Sequence, residues 1–173
     1  IGLDLRLGNP QVNADGGPVW LQIGLQARSD KQTAVAPLNL ALVIDCSGSM
    51  QDDDKMPYVK EGLMRFLASL APNDQVALIG YSDEARLLMP SRAVADGSWI
   101  ADAVQALSPS GNTNISAGLM AGLEEVARNL DTRRNNNVIL LTDGIANEGE
   151  TRPSIIVSGA RPYTDRGIHL TTI

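Results

Sequence analysis

The chain has 173 residues, enough for one domain with a short extension and too few for a second full domain, since domains average about 150 residues. Hydrophobic residues make up 43% of it, so it can build a buried core and disorder is excluded. The formal net charge of −6 disfavours nucleic acid as a partner, because a phosphate-binding surface would form against the overall field. The single cysteine, Cys46, excludes an internal disulfide framework.

Two features bear on the origin of the chain. No apolar run approaches the ~20 residues that a membrane-spanning helix needs. The sequence begins at Ile1, without a methionine or a leader that has basic and apolar regions. We therefore expect a soluble piece, excised or processed from a longer protein, with no membrane span of its own.

The first part of the chain predicts a pair of short strands. Leu3, Leu5 and Leu7 alternate with polar residues, and the apolar residues between Val19 and Ala27 do the same. A stretch rich in Gly and Pro separates the two, and a polar stretch over 29–37 ends in proline. We expect residues 1–37 to form an antiparallel β extension and a linker, and residues 38–173 to form the main domain.

From Leu38 onward, short continuous apolar runs alternate with segments of helical period. This pattern is typical of a parallel sheet that is covered on both faces. The predicted buried strands are Leu38–Ile44, Val76–Tyr81, Val138–Leu141 and Ile168–Ile173, with Ala85–Met89 as an added edge strand. The fold class that follows is α/β, a doubly wound, mainly parallel sheet with helices on both faces.

Four helices are predicted between these strands. The apolar residues at helical spacing are Val59, Leu63, Phe66, Leu67 and Leu70 in the first, Trp99, Ile100, Ala103, Val104 and Leu107 in the second, and Ile115, Leu119, Leu123, Val126 and Leu130 in the third. Asp96 is the expected N-cap of the second helix. The fourth helix begins near Pro153, and Pro162 should bend or end it before Gly167.

Two of the predicted strands lead into a carboxylate, Asp45 and Asp143. In open, doubly wound sheets the ligand crevice lies outside the carboxyl ends of the strands, so both acids are placed for a site rather than for packing. Ser47 and Ser49 follow Asp45 with a glycine between them, and their hydroxyls can point into the same concavity.

Thr113 is the third contributor to this site, because it ends a turn-rich loop and stands at the start of a predicted helix. The candidate set of Asp45, Ser47, Ser49, Thr113 and Asp143 offers only oxygen donors. Such a set favours a hard cation such as Mg²⁺, with Mn²⁺ or Ca²⁺ as alternatives, and disfavours zinc.

These residues, in this order and spacing, resemble the metal-ion-dependent adhesion site of von Willebrand factor type A domains. All five motif positions match, and the resemblance covers about Leu38 to Ile173. The runs Asp45–Met50 and Leu140–Gly144 resemble a bacterial branch that is related to calcium-activated chloride channels and inter-alpha-trypsin-inhibitor heavy chains, in which strands precede the domain.

The resemblance implies the role of each residue. Ser47, Ser49 and Thr113 would bind the metal directly or nearly so, whereas Asp45 and Asp143 would act largely through bound water. An Asp or Glu of another protein would complete the metal shell. The family normally continues with a further helix and strand, so we expect the last helix and strand of the usual domain to be absent here.

Other acidic and nucleophilic residues have simpler interpretations. The Asp45–Asp53 run matches the pattern that integrin beta subunits use for a second metal site, but Asp52–Asp54 are better explained as an acidic first turn of the following helix. Cys46 is expected to be a small buried hydrophobe, and His169 to be structural or exposed.

Three functions are compatible with this pattern. The first is a metal-dependent protein-interaction or adhesion module without catalysis. The second is an assembly or chaperone subunit that acts with an ATPase complex, although the leading strand pair favours a cell-surface or envelope protein. The third is a magnesium-dependent phosphatase-like hydrolase, which needs a second Asp where Ser47 stands. We also expect either self-association through the C-terminal edge strand or coverage of that strand by a segment such as the leading strand pair.

Overall fold

The computed structural model of the protein describes residues 2–7, 21–26, 36–97 and 99–173. The first two segments are β1 (Gly2–Leu7) and β2 (Leu21–Gln26), which pair antiparallel with Leu5 opposite Ile23. They form a separate two-stranded sheet. The predicted strand pair is confirmed, while Val19, Ala27 and the predicted turn and most of the linker lie outside the described residues.

The main domain is built on a second sheet of five strands. These are β3 (Leu38–Asp45), β4 (Gln75–Tyr81), β5 (Ala85–Ala93), β6 (Asn135–Leu141) and β7 (His169–Thr172). They lie in the order β5-β4-β3-β6-β7, and only β5 runs antiparallel to its neighbour. The mainly parallel sheet and its added edge strand are therefore confirmed.

Helices cover both faces of this sheet, as the apolar runs predict. They are α1 (Lys55–Leu67), α2 (Ile100–Gln105), α3 (Ile115–Arg128) and α4 (Pro153–Thr164). Leu42 and Ile44 of β3 pack with apolar residues of α1 and α2, whereas Ala41 and Val43 pack with those of α3 and α4. Consecutive strand residues thus serve opposite faces, which is why β3 is apolar along nearly its whole length. No helix in the described part of the chain is long and apolar enough to cross a membrane.

The edge strand β5 continues four residues beyond its predicted end at Met89. Pro90 does not stop it, because β5 lies at the edge of the sheet and a proline there removes no bond from a second neighbour. The register between β4 and β5 is irregular near Leu78. Beyond the proline, the backbone N–H of Ser91 donates to the buried carboxylate of Glu125 on α3, at 2.8 Å.

Of two predicted helix ends, the N-cap of α2 is wrong, and the end of α4 before Gly167 is confirmed. Trp99, not Asp96, is the residue that precedes α2, because a turn of backbone hydrogen bonds from Gly97 to Val94 leads into the helix. Helix α4 continues through Pro162 and ends at Thr164. Since Pro162 stands in the last turn, its missing N–H and its ring affect only that final turn.

Two glycines allow α3 to lie unusually close to the sheet. A Cβ atom at Gly122 would stand 2.5 Å from Val43 Cγ2 and 3.0 Å from Val138 Cγ1, and one at Gly118 would stand 2.6 Å from the ring of Tyr81. On α1, by contrast, a Cβ atom at Gly62 would meet nothing within 4 Å. Gly118 and Gly122 are therefore required for the packing of α3 against the sheet.

We predict that Gly122→Ala destabilises the protein by about 1–3 kcal/mol, because the added methyl overpacks the core. Gly62→Ala is the matched control, since it adds the same methyl to an open helix position. It should stabilise the protein by about 0.5–1 kcal/mol through helix propensity. Urea denaturation measures both changes, and a neutral or stabilising Gly122→Ala would contradict the close approach.

Cys46 follows β3 directly and belongs to the core on the α1 face, as predicted for a small hydrophobe. Its thiol lies 3.6 Å from the carbonyl oxygen of Ile44. Burial, assisted by the negative charge of Asp45, raises the pKa of the thiol from 9.0 to about 11. The protein thus keeps Cys46 protonated where the unfolded chain would ionise it.

This shift gives the stability of the protein a defined pH dependence. The folded-state pKa lies above the unfolded value, so the contribution of Cys46 is complete below pH 9 and is lost as pH rises through 11. We predict that the free energy of unfolding falls over this interval by about 2 kcal/mol more in the wild type than in Cys46→Ala. Urea titrations of both proteins across this range measure the difference, and parallel pH profiles would refute the prediction.

Candidate metal centre

The two candidate carboxylates lie at one edge of the main sheet. Asp45 is the last residue of β3, and Asp143 stands two residues after the end of β6. Because β3 and β6 are neighbouring parallel strands, their carboxyl ends meet at the same edge. Sequence order alone separates the two acids by almost a hundred residues, and the sheet brings them together.

The carboxylate of Asp45 has no exposed surface and accepts three hydrogen bonds. The backbone N–H of Ser47 donates to Oδ1 at 2.8 Å. On Oδ2, the hydroxyl of Thr142 donates at 2.8 Å and that of Tyr81 at 3.2 Å. Burial raises the pKa of Tyr81, so its hydroxyl keeps the proton that it donates. A buried charge needs such donors to be stable.

The candidate hydroxyls form a chain of hydrogen bonds that ends on the second acid. Ser47 Oγ lies 3.1 Å from Ser49 Oγ, and Ser49 Oγ donates to Asp143 Oδ1 at 2.8 Å. Ser47 is buried, whereas Ser49 is exposed. The structure therefore brings Ser47, Ser49 and Asp143 together beside Asp45, at one point of the edge.

A residue that sequence reasoning did not identify completes this cluster. The ammonium of Lys55, the first residue of α1, donates to Asp143 Oδ2 at 2.7 Å and to the carbonyl oxygen of Ser49 at 3.3 Å. Burial works against the ionised form of Asp143, but the bonds from Lys55 and Ser49 outweigh it and lower the pKa of the carboxyl. The same bond raises the pKa of Lys55.

Thr113 lies on a loop that is tied to the rest of the cluster through the backbone. It is buried and stands two residues before the start of α3, whose first turn is capped by Asn114. Its N–H donates to Asn147 Oδ1 at 2.8 Å, and its carbonyl accepts from the N–H of Asn147 at 3.1 Å. Since Asn147 lies on the loop that follows Asp143, Thr113 is fixed relative to that acid.

Asp83, which the sequence analysis did not identify as a site residue, organises the same loop. Its Oδ1 accepts from the backbone N–H of Asn112 at 3.1 Å and from the Asn112 side chain at 2.8 Å. Gly111 has a φ of 75° and leaves no room for a Cβ atom against the Asp83 carboxylate. The carbonyl of Gly111 accepts from the N–H of Gly48, at 3.0 Å, which joins this loop to the two serines.

The run Asp52–Asp54 does not form an acidic first turn of α1, so that interpretation is wrong. These residues belong to a 3-10 segment, Gly48–Asp54, which precedes the helix. Asp53 and Asp54 have φ values of 51° and 57°, a left-handed conformation that aspartate tolerates better than most residues. The chain turns there before α1 begins at Lys55.

The prediction for His169 agrees with the structure. His169 is exposed on β7. Among the described residues, no group of three or more His, Cys, Asp or Glu side chains could hold a metal ion. A cation at this edge would therefore depend on hydroxyl oxygens and two carboxylates, which is the donor set that the sequence predicted.

Comparison with known proteins identifies the family and the fold. The family model described as the von Willebrand factor type A domain matches residues 39–173. The chain is 33% identical to protein sll0103 of Synechocystis over 153 residues, which cover 87% of this chain and 36% of that protein. It is also 33% identical to human inter-alpha-trypsin inhibitor heavy chain H3, over 73% of this chain and 15% of that protein. The chain thus spans only a minor part of these relatives.

A solved structure shows the same fold. Proximal thread matrix protein 1 from the mussel byssus, with zinc in its MIDAS motif, the metal-ion-dependent adhesion site, superposes with a TM-score of 0.68 at 20% identity. The match covers 80% of this chain and 38% of that one. Because the family model spans most of the main domain and relatives at 33% identity cover most of the chain, this chain belongs to the von Willebrand factor type A domain family.

Proposed function

We propose that the protein is a metal-dependent interaction and adhesion module that binds an Asp or Glu side chain of a partner protein. In this proposal Asp45, Ser47, Ser49, Thr113 and Asp143 hold a Mg²⁺ ion at the carboxyl ends of β3 and β6. The observation that carries the proposal is the hydrogen-bonded chain from Ser47 through Ser49 to Asp143. Membership of a family of interaction modules supports it.

The spacing of the two serine hydroxyls suits an octahedral ion. Adjacent oxygens around Mg²⁺ at about 2.1 Å lie about 3.0 Å apart. Ser47 Oγ and Ser49 Oγ are 3.1 Å apart, so a cation could replace their mutual hydrogen bond with little movement of either side chain.

The hydrogen bonds of Asp45 support an indirect role for this acid. Both of its oxygens already accept bonds from the protein, and it is fully buried. It would therefore contribute negative charge and hold the backbone of Ser47 rather than move to a metal. A cation that is bound mainly by neutral hydroxyls stays electron-poor, and this strengthens its bond to an incoming carboxylate.

The choice of metal rests on the donors. Oxygen-only ligands favour Mg²⁺, with Mn²⁺ or Ca²⁺ as alternatives. The mussel protein holds zinc at the equivalent motif, which shows that the motif does not exclude zinc. Zinc therefore belongs in any comparison of metals for this chain.

The burial of Asp45 argues against the phosphatase-like alternative. A nucleophilic aspartate must reach a phosphorus atom, but both oxygens of Asp45 are covered and engaged. The residue two positions later is Ser47, which cannot serve as the second acid of that mechanism. An assembly role beside an ATPase would use the same capture of an acidic side chain, so only the identity of the partner distinguishes it from adhesion.

We predict that Ser49→Ala lowers the affinity for Mg²⁺ by at least about tenfold, because it removes one hydroxyl ligand and the bond that orients Asp143. Isothermal calorimetry measures this affinity. Ser69 follows α1, and its hydroxyl donates to the carbonyl oxygen of Phe66. Ser69→Ala is therefore the matched control, because it removes a hydroxyl outside the proposed metal centre.

Removal of the metal with EDTA has two further expected results. Circular dichroism should be unchanged by EDTA, because the sheet and its helices bury a core that does not depend on the ion. Binding to a partner carboxylate should disappear in EDTA. Equal divalent binding by the wild type and Ser49→Ala would refute the proposed site.

The edge strand β7 supports a second mode of association, between copies of this chain. Its four residues are all exposed, and Ile173 beside it retains 70% of its accessible surface. Among the described strands, β7 pairs only with β6, and a strand that pairs on one side alone is the kind of edge at which another chain can add.

We predict that the chain self-associates with rising concentration and that Leu170→Lys weakens this association, because a charged residue on an edge strand disfavours pairing. Light scattering across a concentration series measures it. Arg166→Lys, which keeps an exposed charge in the preceding turn, is the control. A monomer at every concentration would contradict this mode.

A further inference from the structure

Lys55 places a positive charge inside the proposed metal centre. Its Nζ lies 2.7 Å from Asp143 Oδ2, while Asp143 Oδ1 accepts from Ser49. The same ammonium reaches the carbonyl oxygen of Ser49 at 3.3 Å. One lysine therefore contacts both a proposed ligand and one of the two proposed acids.

This pair differs from an ordinary surface ion pair. The side chain of Asp143 retains only 13% of its accessible surface and that of Lys55 retains 37%. Arg65 and Glu61, one turn apart on α1, form a pair whose side chains are 80% and 59% exposed. Lys55 instead joins the start of α1 to a loop that is 88 residues away in sequence.

The local backbone directs Lys55 to this place. Asp53 and Asp54 turn the chain through two left-handed residues, and α1 begins directly after them. The charges of Asp52 and Asp53 further favour the ammonium form of Lys55. The acidic run and Asp143 therefore both favour the charged ammonium of Lys55, but only Asp143 bonds to it.

The net charge of three groups, Asp45, Asp143 and Lys55, indicates what the position of the lysine does. Asp45 and Asp143 contribute −2 and Lys55 contributes +1, so the cluster carries −1 without a metal. With a divalent cation the total becomes +1, whereas the two acids and the cation alone would be neutral. The lysine therefore opposes the arrival of the metal and favours the arrival of an anion at the loaded site.

We propose that Lys55 is a specificity-determining residue that weakens metal binding at this centre and strengthens the capture of a partner carboxylate by the metal-loaded centre. This inference rests on the proposed function and deepens it. It predicts that Lys55 has opposite effects on the affinity for the metal and on the affinity for a carboxylate. A residue needed only for the shape of the site would not have opposite effects on the two affinities.

The first test is metal affinity in the whole chain. Lys55→Met keeps most of the aliphatic stem and removes the charge, and calorimetry with Mg²⁺ alone should show an affinity about tenfold higher than in the wild type. Lys55→Arg keeps the charge and should stay near the wild type. Arg65→Met removes a positive charge from an exposed site on the same helix and should leave the affinity unchanged.

The second test is anion capture. Each protein is saturated with Mn²⁺, and acetate is titrated while water-proton relaxation reports the displacement of metal-bound water. Acetate should bind about threefold more weakly to Lys55→Met than to the wild type. Acetamide has nearly the same shape without the charge, and it should not distinguish the proteins.

The outcomes separate this inference from the proposed function. Tighter metal binding together with weaker acetate binding in Lys55→Met supports the role of Lys55. If both affinities fall, or neither changes, while the wild type binds metal and acetate, the inference is overturned and the proposed function stands. If the wild type binds no divalent metal, the proposed function fails and this inference fails with it.

Discussion

The buried carboxylate of Asp45 holds together the edge of the main sheet at which β3, β4 and β6 end. An ionised group without exposed surface is stable only if donors replace the water that it has lost. Its donors come from the loop after β3, from the end of β4 and from the residue after β6. One charge therefore ties together the carboxyl ends of three adjacent strands, and the hydroxyls of Ser47 and Ser49 are arranged around that fixed point.

The loops of the site are held in a similar way, by polar groups that do not face the proposed metal. Asp83 shapes the loop before α3, and Asn147 joins Thr113 to the loop that follows Asp143. These bonds connect segments far apart in sequence, so the positions of the candidate ligands are a property of the whole sheet edge. The five candidate ligands therefore depend on other residues, such as Asp83 and Asn147, to hold their loops in position.

The sequence was most informative where the pattern reflects burial. Continuous apolar runs predicted β3, β4 and β6, because strands covered on both faces have no polar side, and the motif residues at their ends followed directly. It was least informative where backbone geometry decides. The left-handed turn at Asp53 and Asp54 displaced the acidic run from α1, and α2 begins after Trp99 rather than after Asp96. Lys55 could not be found by motif, because the residue that it contacts, Asp143, lies 88 residues later in the chain.

The close approach of α3 to Tyr81 has a mechanical consequence. The ring of Tyr81 lies directly against the backbone of α3 at Gly118, and the hydroxyl of the same side chain donates to Asp45. Helix α3 also follows the loop that carries Thr113. Both contacts lie at the N-terminal end of α3, so a displacement of that end would move the Tyr81 ring and the Thr113 loop together. The side chain of Tyr81 therefore links the first turn of α3 to the buried carboxylate of Asp45, and we expect a shift of this end of the helix to disturb the sheet edge as well.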